Sequence, residues 1–123
     1  MKRYIKSSND AIMCMANLVP KRTGLSVDIW SEHRGCLRNV QHDTPRIKID
    51  KHNQFSMSVT IEANPKILVQ SKNISKSDMK KCQEAIDYIG RNYDLFLRHY
   101  NDVSDEFDDD DLFQALRERG EFK

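Results

Sequence analysis

Apolar residues recur at steps of three and four from Met79 to Tyr100, and this spacing constrains the fold more than any other feature of the chain. It predicts a helix of about six turns with one buried face. Ser75 followed by Asp78 resembles a capping box at the start of this helix. Glycine inside a helix costs about 1 kcal/mol relative to alanine. We therefore expect one helix that bends near Gly90, in preference to two helices. The predicted stripe consists of Met79, Cys82, Ile86, Ile89, Tyr93, Phe96 or Leu97, and Tyr100.

Alternation of apolar and polar residues predicts three strands before this helix. They cover residues 25–30, 45–50 and 55–61, with residues 51–54 as a hairpin turn between the last two. Residues 66–70 are compatible with a fourth short strand or with a turn of helix. The side chains expected to face the core are Leu25, Val27, Ile29, Ile47, Ile49, Phe55, Met57, Val59 and Ile61.

Both ends of the chain carry further predicted elements. Residues 2–6 are compatible with a short first strand. Ser8 or Asn9 can cap a helix over residues 10–18, which Pro20 cannot continue. A last helix over residues 109–119 is expected to end at Gly120 and to make contact through Leu112, Phe113 and Leu116.

These elements predict an α+β fold over residues 1–123. A small antiparallel sheet of three to five strands is covered on one face by the long helix, with an N-terminal helix and a C-terminal helix beside it. The composition, 38% hydrophobic and 32% charged, is typical of one folded domain.

The composition also argues against several kinds of protein. Three cysteines without C-x-x-C spacing indicate neither a disulfide framework nor a zinc site, so we expect a reducing, cytoplasmic environment. The four histidines lack metal-binding spacing, and no cofactor motif is present. No apolar run approaches the length of a membrane span. Binding of a macromolecule is therefore favoured over catalysis.

Charge is concentrated near the C-terminal end, where seven of the ten residues from 102 to 111 are acidic. One interpretation is helix capping, because aspartates before Leu112 lie at the positive end of a helix dipole. The other is imitation of nucleic-acid phosphates, in which the carboxylates bind a nuclease or another nucleic-acid-binding protein. The residues concerned are Asp102, Asp105, Glu106, Asp108, Asp109, Asp110 and Asp111.

A basic region precedes this acidic segment in the chain. Residues 1–52 hold ten Lys and Arg against five Asp and Glu, whereas residues 53–123 hold ten against fourteen. With Trp30 and Tyr4 nearby, the cations could bind single-stranded RNA, or His42 could serve as the acid or base of a ribonuclease. Protection of an edge strand is the alternative. The candidate residues are Arg34, Arg38, His42, Arg46 and Lys48.

The stretch from Leu25 to Asn101 resembles the bacterial domain-of-unknown-function family numbered 4160. The resemblance lies in residues 42–49, in residues 61–68 and in the helix end at residues 92–100. His42 stands where that family has a His-rich strand, and Tyr100 stands where it usually has Trp. The resemblance implies a partner in toxin and antitoxin-like gene pairs, and residues 1–8 resemble proteins of phage and other mobile elements.

These observations together predict a small protein that binds a macromolecule by charge complementarity. The expected partner is a protein, for example a nucleic-acid-processing protein that the chain inhibits in the manner of an anti-CRISPR. The alternative is an RNA-binding or ribonuclease-type toxin that uses the basic strand face.

Overall fold

A five-stranded antiparallel sheet in the order β1-β2-β3-β4-β5 forms the centre of the molecule. The computed structural model describes residues 15–33, 44–104 and 106–123. Every strand pairs with its neighbour in sequence, and the pairing of β4 with β5 shifts register between Ser58 and Val59. The strands are β1 (Met15–Leu18), β2 (Asp28–Glu32), β3 (Arg46–Lys51), β4 (Phe55–Thr60) and β5 (Ile67–Gln70).

The alternation seen in the sequence divides the two faces of this sheet. Ile29 pairs with Ile49, and Ile47 pairs with Val59, and all four side chains are buried. Successive strand residues point to opposite faces, so the residues between them form the other, outer face. The predicted strands around residues 25–30, 45–50 and 55–61 are confirmed. Of the two alternatives for residues 66–70, the structure has the strand, at Ile67–Gln70. The outer face carries Trp30, Lys48, Asp50, Ser56 and Ser58.

Helices supply the rest of the core. They are α1 (Pro20–Thr23), α2 (Lys76–Arg91), α3 (Tyr93–Asn101) and α4 (Asp109–Glu118). At the start of α2, the Ser75 side chain accepts a hydrogen bond from the Asp78 N–H at 3.1 Å, as the capping pattern predicts. The fold is therefore α+β, with the buried sheet residues and the helices in one core. The helical residues in that core include Cys82, Ile86, Ile89, Phe96, Leu112 and Leu116.

The prediction of one bent helix over the apolar stripe is wrong, because α2 and α3 are separate helices that meet at Asn92. The Asn92 side-chain amide donates to the Tyr88 carbonyl at 3.0 Å and to the Glu121 carboxylate at 2.6 Å. The Asn92 backbone has φ −121° and ψ 19°, outside the helical range. After this break the stripe changes phase, so Tyr93 is 40% exposed instead of buried.

Gly90 allows close packing of α2, which differs from its predicted role in bending the helix. A Cβ at this position would lie 2.5 Å from the Ala63 carbonyl oxygen and 3.1 Å from Pro65 Cδ. Helix α2 can therefore approach the loop between β4 and β5 only because residue 90 has no side chain.

The prediction of an N-terminal helix over residues 10–18 is wrong for residues 15–18, which form β1. Ala16 and Leu18 are buried and pair with Ser31 and Ile29 of β2. Alternation along this edge strand buries Ala16 and Leu18 and leaves Met15 and Asn17 partly exposed. Pro20 does not follow a helix but begins α1, at a position where its missing N–H is harmless.

Several predicted features lie outside the described residues. They are the strand at residues 2–6 and residues 10–14 of the predicted N-terminal helix. Within residues 15–33, 44–104 and 106–123, no helix combines the length and apolar character needed to cross a membrane.

Candidate functional site

The acidic segment, residues 102–111, connects α3 to α4 and forms the first turn of α4. Asp102 follows the last residue of α3, and Asp108 is the N-cap of α4. Phe107 lies between them with its side chain buried, and the Arg98 guanidinium stacks over its ring at 4.2 Å. The segment is therefore packed against the body of the protein through an apolar side chain.

Two buried histidines contact this segment from the core of the protein. His33 follows β2 and is 2% exposed, and its Nε2 lies 2.7 Å from Asp102 Oδ2. His99 lies on the inner side of α3 and is fully buried, and its Nε2 lies 2.8 Å from Asp109 Oδ1. The two imidazole rings are 5.3 Å apart, centroid to centroid. The first and the eighth residues of the acidic segment are thus each fixed by one histidine.

Ser31 completes the hydrogen bonding of His99. Its hydroxyl oxygen lies 2.8 Å from His99 Nδ1. A neutral imidazole has one donor and one acceptor nitrogen. In the tautomer that donates from Nε2 to Asp109, Nδ1 accepts the Ser31 hydroxyl proton. Strand β2, helix α3 and helix α4 are joined by this one chain of contacts.

The order Ser31, His99 and Asp109 has the connectivity of a hydrolase triad. A nucleophile must reach its substrate, however, and both the Ser31 and His99 side chains are fully buried. The arrangement therefore serves as an anchor within the core. The histidines and aspartates form two separate pairs, His33 with Asp102 and His99 with Asp109. In the described part of the chain, no group of three potential metal ligands is arranged to hold an ion.

Asp102 is held as a carboxylate. Burial acts to raise its pKa, but hydrogen bonds from His33 and from the backbone N–H groups of Phe107 and Glu106 outweigh burial and lower it. The Glu106 N–H donates to Asp102 Oδ1 at 3.1 Å. Asp102 therefore orders the backbone that follows it.

A complete capping box engages two further acids. Asp108 accepts from the Asp111 N–H at 3.0 Å, and Asp111 accepts from the Asp108 N–H at 3.2 Å. Asp102, Asp108, Asp109 and Asp111 thus all have structural contacts. The capping interpretation rests on the helix dipole, and the contact of Asp109 with His99 is additional to it. Glu106 and Asp110 are exposed, and Asp105 lies outside the described residues.

The predicted basic site is only partly described. Arg34, Arg38 and His42 lie outside the described residues, as does Tyr4. Arg46 and Lys48 lie on β3, and Lys48 pairs directly with Trp30 of β2. The structure therefore places Trp30 and Lys48 at paired positions on neighbouring strands.

Carboxylates share this outer face with the cations. Asp50 accepts a hydrogen bond from the Trp30 indole at 3.1 Å and lies 3.7 Å from the Lys48 ammonium. Asp28 pairs with Asp50 across the strands. Burial and then the charge of Asp50 raise the pKa of Asp28. The described part of this face is consequently mixed in charge instead of uniformly basic.

Sequence reasoning missed the roles of His33 and His99 in the acidic segment. The sequence did contain one indication of a buried histidine, because His99 follows Phe96 by three residues on the inner side of a helix. A polar residue at such a position needs a buried partner. Cys82 is a buried core residue, as predicted, whereas Cys14 and Cys36 lie outside the described residues.

Comparison of the chain with protein-family models, with curated proteins and with solved structures found no match. The relationship to the family numbered 4160 stays a prediction.

Proposed function

We propose that the protein binds a partner protein that carries a positively charged surface, and that the acidic segment is the docking site. The observation that carries this proposal is the pair of His–Asp contacts, His33 with Asp102 and His99 with Asp109, at 2.7 and 2.8 Å. They hold the segment in place before any partner arrives. A binding surface that is ordered in advance loses less conformational entropy on association.

The anchored segment leaves carboxylates available to a partner. Glu106, Asp110 and Asp111 are exposed, and the structural contacts of Asp111 are confined to the cap of α4. Carboxylates on a fixed backbone attract a cationic surface and steer its approach. Nucleic-acid-binding proteins carry such surfaces, because they neutralise phosphates with Lys and Arg. Inhibition of a nucleic-acid-processing protein is the role that this chemistry fits.

The alternative function, RNA binding on the outer face of the sheet, is favoured by the direct pairing of Trp30 with Lys48. Stacking on an aromatic ring beside a cation suits single-stranded RNA. Asp28 and Asp50 on the same face would repel phosphates. This repulsion favours the acidic segment over the sheet face as the binding site. Fluorescence anisotropy with labelled single-stranded RNA tests this alternative, since Lys48→Ala should weaken binding if phosphates lie on β3.

Capture from a nuclease-treated lysate of the host cell tests the main proposal. The double variant Glu106→Gln with Asp110→Asn removes two exposed charges and none of the anchors. The control Glu84→Gln with Glu118→Gln removes the same charge from exposed helix positions elsewhere. Selective loss of a captured protein in the first variant supports the proposal. Equal capture by both variants contradicts it, and capture that disappears after nuclease treatment favours RNA instead.

A further inference from the structure

The edge strand β5 carries an unusual concentration of exposed apolar side chains. Ile67, Leu68 and Val69 are 42%, 39% and 61% exposed. They are three of the six exposed large hydrophobic side chains among the described residues, and they are consecutive. Exposed edges of natural sheets usually carry charges that prevent another strand from pairing with them. The four residues of β5 include no charged side chain.

Both ends of β5 are firmly attached to β4. The Thr60 N–H donates to the Lys66 carbonyl at 2.9 Å, and the Ser71 N–H donates to the Ser56 carbonyl at 2.9 Å. The Ser71 hydroxyl also accepts from the Ser56 N–H at 3.0 Å. One side of β5 is thus fixed in extended conformation. In the described sheet its other side has no neighbouring strand, so it presents a preformed edge to an incoming strand.

Charge at the two ends of β5 indicates what such a strand would be. Lys66 directly precedes Ile67, and Lys72 follows Val69 after Gln70 and Ser71; both lysines are exposed. A segment with an apolar centre and acidic ends would match this pattern. Pairing of two copies of β5 would instead bring two lysines from each copy into one short interface, and that repulsion disfavours a homodimer.

We infer that β5 is a docking edge for an extended segment of a partner protein that has apolar residues at its centre and Asp or Glu at both ends. The segment would add a sixth strand to the sheet through main-chain hydrogen bonds, while its apolar side chains cover Leu68 and Val69. This inference does not rest on the proposed function. The acidic segment is anchored at β2, three strands from β5, a separation of roughly 14 Å at the usual spacing between strands.

A displayed library of random peptides, selected against the whole protein, provides the probe. We expect enrichment of peptides with alternating apolar residues between acidic ends. Fluorescence anisotropy on one enriched peptide then compares Val69→Lys with Val19→Lys. Val69→Lys should weaken binding about tenfold or more, because the lysine charge would be buried against apolar side chains. Val19 is 37% exposed and follows β1, at the opposite edge of the sheet from β5, so its variant should bind as the wild type does.

The inference is overturned by any of three results. The selection could enrich no peptide class, or the enriched peptides could bind Val69→Lys as tightly as wild type. The third is light scattering that shows a dimer which Val69→Lys dissociates, because the occupant of the edge would then be a second copy of the chain. The inference is supported if Val69→Lys weakens the binding of peptides with acidic ends and leaves any dimer unaffected.

Discussion

His99 and Asp109 lie ten residues apart in sequence and are joined by a 2.8 Å contact between Nε2 and Oδ1. Because His99 is fully buried in α3 and Asp109 is the first residue of α4, this contact fixes where α4 starts relative to α3. The acidic segment between them is held as a consequence. The described acids Asp102 and Asp109 of this charged run are therefore tied to the core of the fold.

Replacing His99 tests this anchoring role. His99→Ala removes the contacts to Ser31 and Asp109 and leaves a cavity, so we expect a loss of about 2 to 5 kcal/mol in the free energy of unfolding. Urea denaturation measures this loss. His52→Ala is the matched control, because His52 is exposed in the hairpin turn and should change stability by less than about 0.5 kcal/mol. Similar small losses for both variants would show that His99 anchors nothing.

The capping box predicts unequal roles for neighbouring aspartates. Asp108→Ala removes the N-cap of α4 and should cost about 0.5 to 2 kcal/mol of stability. Asp110→Ala removes only an exposed charge near the helix dipole and should cost a few tenths of a kcal/mol up to about 1 kcal/mol. Thermal denaturation of the two variants at equal salt compares them. A greater loss for Asp110→Ala would contradict the capping geometry.

The elements of the fold that the sequence predicted are those encoded by local periodicity. Alternation from Phe55 to Ile61 and the helical stripe from Met79 to Ile89 each depend on residues close in sequence. The split at Asn92 was missed because it depends on Glu121, which is distant in sequence. Strand β1 was missed because its partner is β2, and pairing decides between helix and strand in so short a segment.

The candidate site also combines features set by residues close in sequence with features set by distant residues. The place of the aspartates ahead of Leu112 predicts negative charge at the start of the last helix, but the capping box formed by Asp108 and Asp111 was not predicted. The contact of His33 with Asp102 joins residues 69 apart, and no local pattern encodes such a pair. Sequence reasoning could therefore identify the acidic segment but could not identify what holds it in place.

Gly90 provides a test in which helix propensity and packing oppose each other. Alanine is the better helix former by about 1 kcal/mol. Its Cβ at position 90 would nevertheless lie 2.5 Å from the Ala63 carbonyl oxygen, and relieving such overlap typically costs about 1 to 3 kcal/mol. We expect Gly90→Ala to be destabilising in urea denaturation. Glu84→Ala, at an exposed position of the same helix, should be nearly neutral. A stabilised Gly90→Ala variant would show that the loop yields without cost.

Acid should destabilise the protein through carboxylates whose pKa is lowered on folding. For Asp102 and Glu121 burial acts to raise the pKa, but hydrogen bonds from His33 to Asp102 and from Arg91 and Asn92 to Glu121 lower it. The usual values are 3.8 and 4.5. A carboxylate whose pKa is lower in the folded than in the unfolded protein stabilises the fold at pH values above the unfolded-state pKa. This stabilisation is lost as the pH falls through the folded-state pKa. We therefore expect stability to fall below about pH 4.5.

Urea denaturation between neutral pH and pH 2 measures this dependence. Asp102→Asn should lose stability at neutral pH and show a shallower decline on acidification than the wild type. Asp110→Asn is the control for removal of an exposed carboxylate. The same slope in Asp102→Asn as in the wild type would show that Asp102 does not contribute to the acid response.

The association rate with the captured partner, measured against salt concentration, tests the central claim most directly. If the exposed carboxylates of the acidic segment steer a cationic protein, the wild-type rate should fall steeply as salt rises, because exposed charges are screened. Glu106→Gln with Asp110→Asn should show a lower rate and a weaker salt dependence, and the control Glu84→Gln with Glu118→Gln should follow the wild type more closely. A wild-type rate that is insensitive to salt and unchanged in the first variant would contradict the account and leave the acidic segment with its structural role alone.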